Sequence, residues 1–133
     1  MGTGILIGVG FAAVAIGLGR SLGEVRGRAV FALLLVAAAA VYVGATLGEQ
    51  HGSAAVATAA LALFGSLALW GLEDPRPLVL GWLTHAVWDL LHVVGLMDSG
   101  APDWYELACL IADPLIAGYL FFWAARPRDD GTP

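Results

Sequence analysis

Five apolar runs separated by short polar turns constrain this chain more than any other feature. They cover about residues 4–19, 29–48, 54–72, 78–97 and 104–125. Each is roughly 16–22 residues long, enough to cross about 30 Å of hydrocarbon at ~1.5 Å per residue. Hydrophobic residues make up 59% of the 133 and charged residues only 13%. A water-soluble domain of this size would lack the polar groups to cover its surface. The expected fold is all-α: an integral membrane bundle of five transmembrane helices forming one domain over residues 1–125. A polar tail at 126–133 is expected to be disordered. The first run has neither the positive leader nor the small-residue cleavage pattern of a signal peptide, so it reads as a retained helix.

The arginines test that count. The chain has no lysine, and its basic residues are Arg20, Arg26, Arg28, Arg76, Arg126 and Arg128. Five crossings put all six on one side, in the first turn, the third turn and the C-terminal tail. The opposite side carries Glu49, His51, Asp98 and Asp103. Such a bias predicts a multi-pass protein of the cell membrane with its N-terminus outside and its C-terminus cytoplasmic. A net charge of −5 with no basic face excludes nucleic acid as a partner. Cys109 is the single cysteine, which rules out an intrachain disulfide.

Local signals mark the turns. Ser53 is placed to cap the third helix, and Glu73 to Pro77 should break the chain, since neither Pro75 nor Pro77 can sit in a helix interior. Gly4 and Gly8 have the small-xxx-small spacing that lets helix backbones approach closely.

The fourth run holds His85, Asp89 and His92 at spacings of four and three, which places them within an arc of about 60° on a helix. Trp82 and Trp88 flank that arc. The fifth run repeats the pattern with Glu106, Cys109 and Asp113. A short turn joins the two, so they should be antiparallel neighbours. Counted from their outer ends, His92 and Cys109 lie at roughly 8 Å, Asp89 near ~12 Å, Asp113 near ~14 Å and His85 near ~18 Å. Each charge at mid-membrane costs at least about 2.5–3.5 kcal/mol, so such groups pair, bind an ion or line a wet cavity. Pro114 follows Asp113 and frees the carbonyl of Leu110 from its usual helical donor. Tyr42, Thr46 and Glu49 share a face of the second run and are placed to close the mouth of such a site.

The pattern His85-Ala-x-Trp-Asp89-x-x-His92, followed by Cys109-x-x-x-Asp113-Pro114, resembles a family of small bacterial membrane proteins catalogued as a domain of unknown function. The likeness is clearest over residues 80–122. The resemblance implies that relatives often carry a second histidine next to the last one, where this chain has Val93. The resemblance brings no activity with it.

Four readings fit these residues. A metal site would use His85, Asp89, His92, Cys109 and Asp113, a donor set suited to zinc or iron, and could act on a lipid-soluble substrate arriving sideways from the bilayer. Metal-free acid–base catalysis would rest on Asp89 and Glu106 with the histidines. A proton or metal-ion path would use the same groups as relays, in one chain or a homo-oligomer. Finally, His85–Asp113 and His92–Glu106 could be buried pairs that fix helix packing. The sequence leaves open whether the protein is an enzyme.

Overall fold

The computed structural model describes residues 2–49, 52–98 and 100–124. Among these, five helices follow one another: α1 (Gly2–Ser21), α2 (Gly23–Glu49), α3 (Ala54–Trp70), α4 (Pro75–Val93) and α5 (Asp103–Ala124). Gln50, His51, Ser99 and the tail from residue 125, with Arg126 and Arg128, lie outside the described residues.

Two helix ends differ from the hydropathy reading. The segment Arg20–Arg28 reads as a polar loop, yet Leu22 alone separates α1 from α2. Arginine and glutamate are good helix formers, and Glu24 and Arg28 pair across one turn at 3.8 Å. Polar residues here extend the helix past its apolar stretch. The fourth apolar run continues to Met97, but α4 stops at Val93. Gly95 takes φ +73°, its N–H donates to the His92 carbonyl and the Leu96 N–H donates to the Leu91 carbonyl. This is a Schellman termination, which needs a left-handed residue that glycine supplies without strain.

The other ends follow their sequence signals. The Ser53 side chain accepts from the Val56 N–H and caps α3. Asp74 caps α4 by accepting from the Arg76 N–H at 3.0 Å. Pro75 then occupies the first turn, where a missing N–H costs nothing. Pro114 sits inside α5, which stays helical on both sides of it.

The helices pack as a closed ring in which each touches the next and α5 returns to α1, while α2 reaches across to α4. The most extensive interface joins α4 to α5. At one end, the Arg28 guanidinium donates to the Glu73 carbonyl at 2.6 Å, tying the start of α2 to the α3–α4 turn. Arg20, Arg26 and Arg76 belong to the same end, because successive helices alternate in direction.

The core holds Phe31, Leu35, Phe64, Leu78, Trp82, Ile116 and Leu120. The outer surface is also apolar, with Leu6, Val14, Leu33, Leu47, Leu69, Leu96 and Phe122 all at least 68% exposed. A helix that is apolar on every side matches a hydrocarbon surround rather than water. By length and composition, α1, α2 and α5 are each able to cross a membrane. The remaining two are shorter or more polar: α3 has 17 residues, and α4 carries Arg76, two prolines and its His/Asp stripe.

Close approach of α1 to α5 depends on small residues. Gly4, Gly8, Ala12, Ala15 and Gly19 form the buried face of α1. A Cβ on Gly8 would collide with the Ala108 carbonyl, whereas one on Gly10 would meet nothing within 4 Å. Gly8→Leu is therefore expected to destabilise the detergent-solubilised protein by about 1–3 kcal/mol, and Gly10→Ala to leave it unchanged. Thermal unfolding of the two variants side by side checks this. Equal midpoints would refute the close-packing account.

Candidate metal centre

The site is built where α2, α4 and α5 meet. His85 and Asp89 stand one turn apart on α4, and Asp113 faces them from α5. His85 Nδ1 lies 2.7 Å from Asp113 Oδ2 and 3.2 Å from Asp89 Oδ2. With the hydrogen on Nδ1, the imidazole donates to both carboxylates. The Tyr42 hydroxyl on α2 donates to Asp89 Oδ1 in a short hydrogen bond. One hydrogen-bonded string thus runs Tyr42–Asp89–His85–Asp113. His85 and Asp89 have no solvent exposure, and Asp113 is 1% exposed.

Apolar and aromatic walls surround the string. The Phe64 ring packs edge-on against His85 at 4.9 Å, with Tyr42 on another side at 6.0 Å. Two atoms of the cluster are buried without a hydrogen-bond partner, His85 Nε2 and Asp113 Oδ1. Buried polar groups are paired in the great majority of cases, so these two mark unused binding capacity.

The structure brings together three of the five residues the sequence nominates as ligands. Among the described residues, His85, Asp89 and Asp113 offer ligand atoms within 4.8 Å of one another. His92 is not in that group. Its Nδ1 donates to the Trp88 carbonyl at 2.8 Å, and its ring packs on Tyr42 and Trp88, each at 4.9 Å. It lines a separate cavity of about 190 Å³ with Thr46, Met97 and Asp98. Cys109 is half-buried and lines a groove beside the cluster together with Asp113. Glu106 is buried one turn before Cys109, towards the start of α5. Of Glu49, only the backbone is described.

Tyr42 is the residue whose role its sequence position understates. It reads as part of a mouth, yet it orients a carboxylate at the centre. The signal available was the pairing of Tyr42 with Thr46 one turn on, on the inner face of an otherwise apolar helix.

Charge decides what the cluster can hold. Two ionised carboxylates and a neutral imidazole sum to −2, which a divalent cation cancels. Without one, a shared proton must reduce the charge, because unpaired ions in a dry interior are costly. Geometry points the same way. A tetrahedral ion with ~2.1 Å bonds sets its ligand atoms about 3.4 Å apart, so the 3.2 Å His85–Asp89 gap already fits. The 2.7 Å His85–Asp113 gap would widen as the ion replaced the proton. Were an ion held here, the Tyr42 hydroxyl would be the outer hydrogen bond to the Asp89 carboxylate.

A family model described as a family of unknown function (DUF6010) matches residues 3–126. The chain belongs to this family. The match spans all five helices, so the His85/Asp89/Asp113 cluster lies within the DUF6010 domain. No curated protein matches this DUF6010 chain, and no solved structure does.

Truncating Asp113 tests the energetic weight of the string. Asp113→Ala strips His85 of its closer acceptor and is expected to cost about 1–3 kcal/mol. Tyr42→Phe, which leaves His85 its two carboxylates, should cost less. SDS titration of both variants in mixed micelles gives the order, and an Asp113→Ala protein as stable as wild type would refute it.

Proposed function

We propose that this protein is a five-span membrane protein whose His85, Asp89 and Asp113 hold one divalent transition metal ion, zinc or iron, within the bilayer. The observation that carries this reading is the charge and spacing of the cluster. Three buried donors from two adjacent helices converge within 4.8 Å, and two carboxylates with a neutral imidazole balance a divalent ion. Three protein ligands leave a tetrahedral ion one open position, the arrangement of catalytic rather than structural zinc sites. A lipid-soluble substrate is the class such a buried position would serve, with the ion acting as Lewis acid.

Metal analysis of purified protein tests this. Wild type is expected to hold close to one zinc or iron per chain, and Asp89→Asn and His85→Ala to hold none. Tyr42→Phe should weaken metal affinity about 10–100-fold. Metal-free wild type, purified without chelator and after incubation with zinc or iron(II), would sink the reading.

The Tyr42–Asp89–His85–Asp113 string supports a second reading, because it is complete without a metal. In that case His85 and a carboxylate would exchange protons with a hydrophobic substrate, and the same metal analysis separates the two. An ion path through the bundle is poorly supported. Towards the arginine-bearing end, Phe31, Leu35, Leu78, Trp82, Ile116 and Leu120 are all fully buried and form an apolar plug below His85.

The arginine-bearing end is placed in the cytoplasm, with the C-terminus, by the positive-inside rule. A C-terminal fluorescent-protein fusion should therefore fluoresce, and a C-terminal alkaline phosphatase fusion should be silent. Active phosphatase there would invert the orientation.

A further inference from the structure

A groove of about 290 Å³ runs along the side of the bundle between α1, α2 and α5. Ile7, Phe11 and Val41, each about two-fifths exposed, flank it, while buried Trp82 and Asp113 belong to its lining. The lining is otherwise almost wholly apolar. Two of its buried lining residues each carry a polar atom without a hydrogen-bond partner, Trp82 Nε1 and Asp113 Oδ1.

These two orphans are of opposite kinds. An indole N–H can only donate, and a carboxylate oxygen accepts. Two such groups on residues that line one cavity suit a single ligand group that accepts from one and donates to the other. A hydroxyl does both. A charged end group would have to shed its water at this depth, which the apolar walls do not repay. The volume lies at the lower edge of the roughly 300–1,000 Å³ usual for small-molecule sites, which suits one apolar chain rather than a two-chain lipid.

We propose that the groove binds a single-chain lipid alcohol, its chain between α1 and α2 and its hydroxyl between Trp82 Nε1 and Asp113 Oδ1. This places a substrate class beside the centre described above. It rests on the membrane setting of that reading and shares Asp113 with it, but it does not require the metal.

The test uses the full chain in lipid nanodiscs and a hexadecan-1-ol carrying a mid-chain diazirine, with its methyl ether as control. The alcohol is expected to label residues around Ile7, Phe11 and Val41 saturably. The ether, which cannot donate to Asp113, should label about fivefold less at the same concentration. Ala37→Phe fills the groove from an exposed position and should abolish saturable labelling. Trp82→Phe should reduce alcohol labelling by a similar factor. Equal labelling by alcohol and ether, or saturable labelling that survives Ala37→Phe, would overturn the proposal without recourse to a core variant. Metal content measured on the same samples keeps the two ideas apart. Saturable alcohol labelling of metal-free wild type supports the groove and removes the metal. Metal-loaded wild type without such labelling removes the groove and keeps the metal.

Discussion

A histidine held between two carboxylates, away from water, is the interaction on which this bundle depends. His85 has no solvent to fall back on, so its Nδ1 must find an acceptor or an ion within the protein. Asp89 meets that need from one turn along α4, and Asp113 from α5, which makes the α4–α5 interface the fixed part of the molecule. Tyr42 then ties α2 to the same point through Asp89. Three helices are thereby registered against each other by polar contacts that slide far less readily than the leucine and alanine packing around them.

Much of this arrangement was legible in the sequence. The spacings of His85, Asp89 and His92, and of Glu106, Cys109 and Asp113, give the two facing stripes, and the short turn makes their helices neighbours. The depth count already separates His85 from His92 by seven residues, about 10 Å along the axis, although the two share a face. The structure accordingly draws His85, Asp89 and Asp113 together and leaves His92 to its own cavity. Tyr42 was harder to place, because its partner sits 47 residues away and no local pattern links them.

The helix ends show the same division between local and tertiary information. Ser53 caps α3 through a residue three positions on, so its cap is read directly from the sequence, whereas the Asp74 cap emerges only with the structure. Gly95 was hidden inside an apolar run, where hydropathy outweighed the turn chemistry of one residue. The polar stretch at Arg20 to Arg28 interrupts the hydropathy pattern as a loop would, yet its arginines and glutamate favour helix. Charged residues that are good helix formers can extend a helix beyond its apolar length, and here they carry α2 almost back to α1.

The single-residue link between α1 and α2 has a geometric consequence for the groove. Joined through Leu22 alone, these two helices cannot part at the arginine-bearing end. Their separation grows only with distance from that joint, and the groove residues Ile7 and Phe11 lie more than ten residues from it. Meanwhile Gly8 seats α1 against the Ala108 backbone, which denies α1 the freedom to swing. The groove is thus a wedge with a fixed apex and one fixed wall. Any change in its width falls to the far half of α2, the half that carries Tyr42.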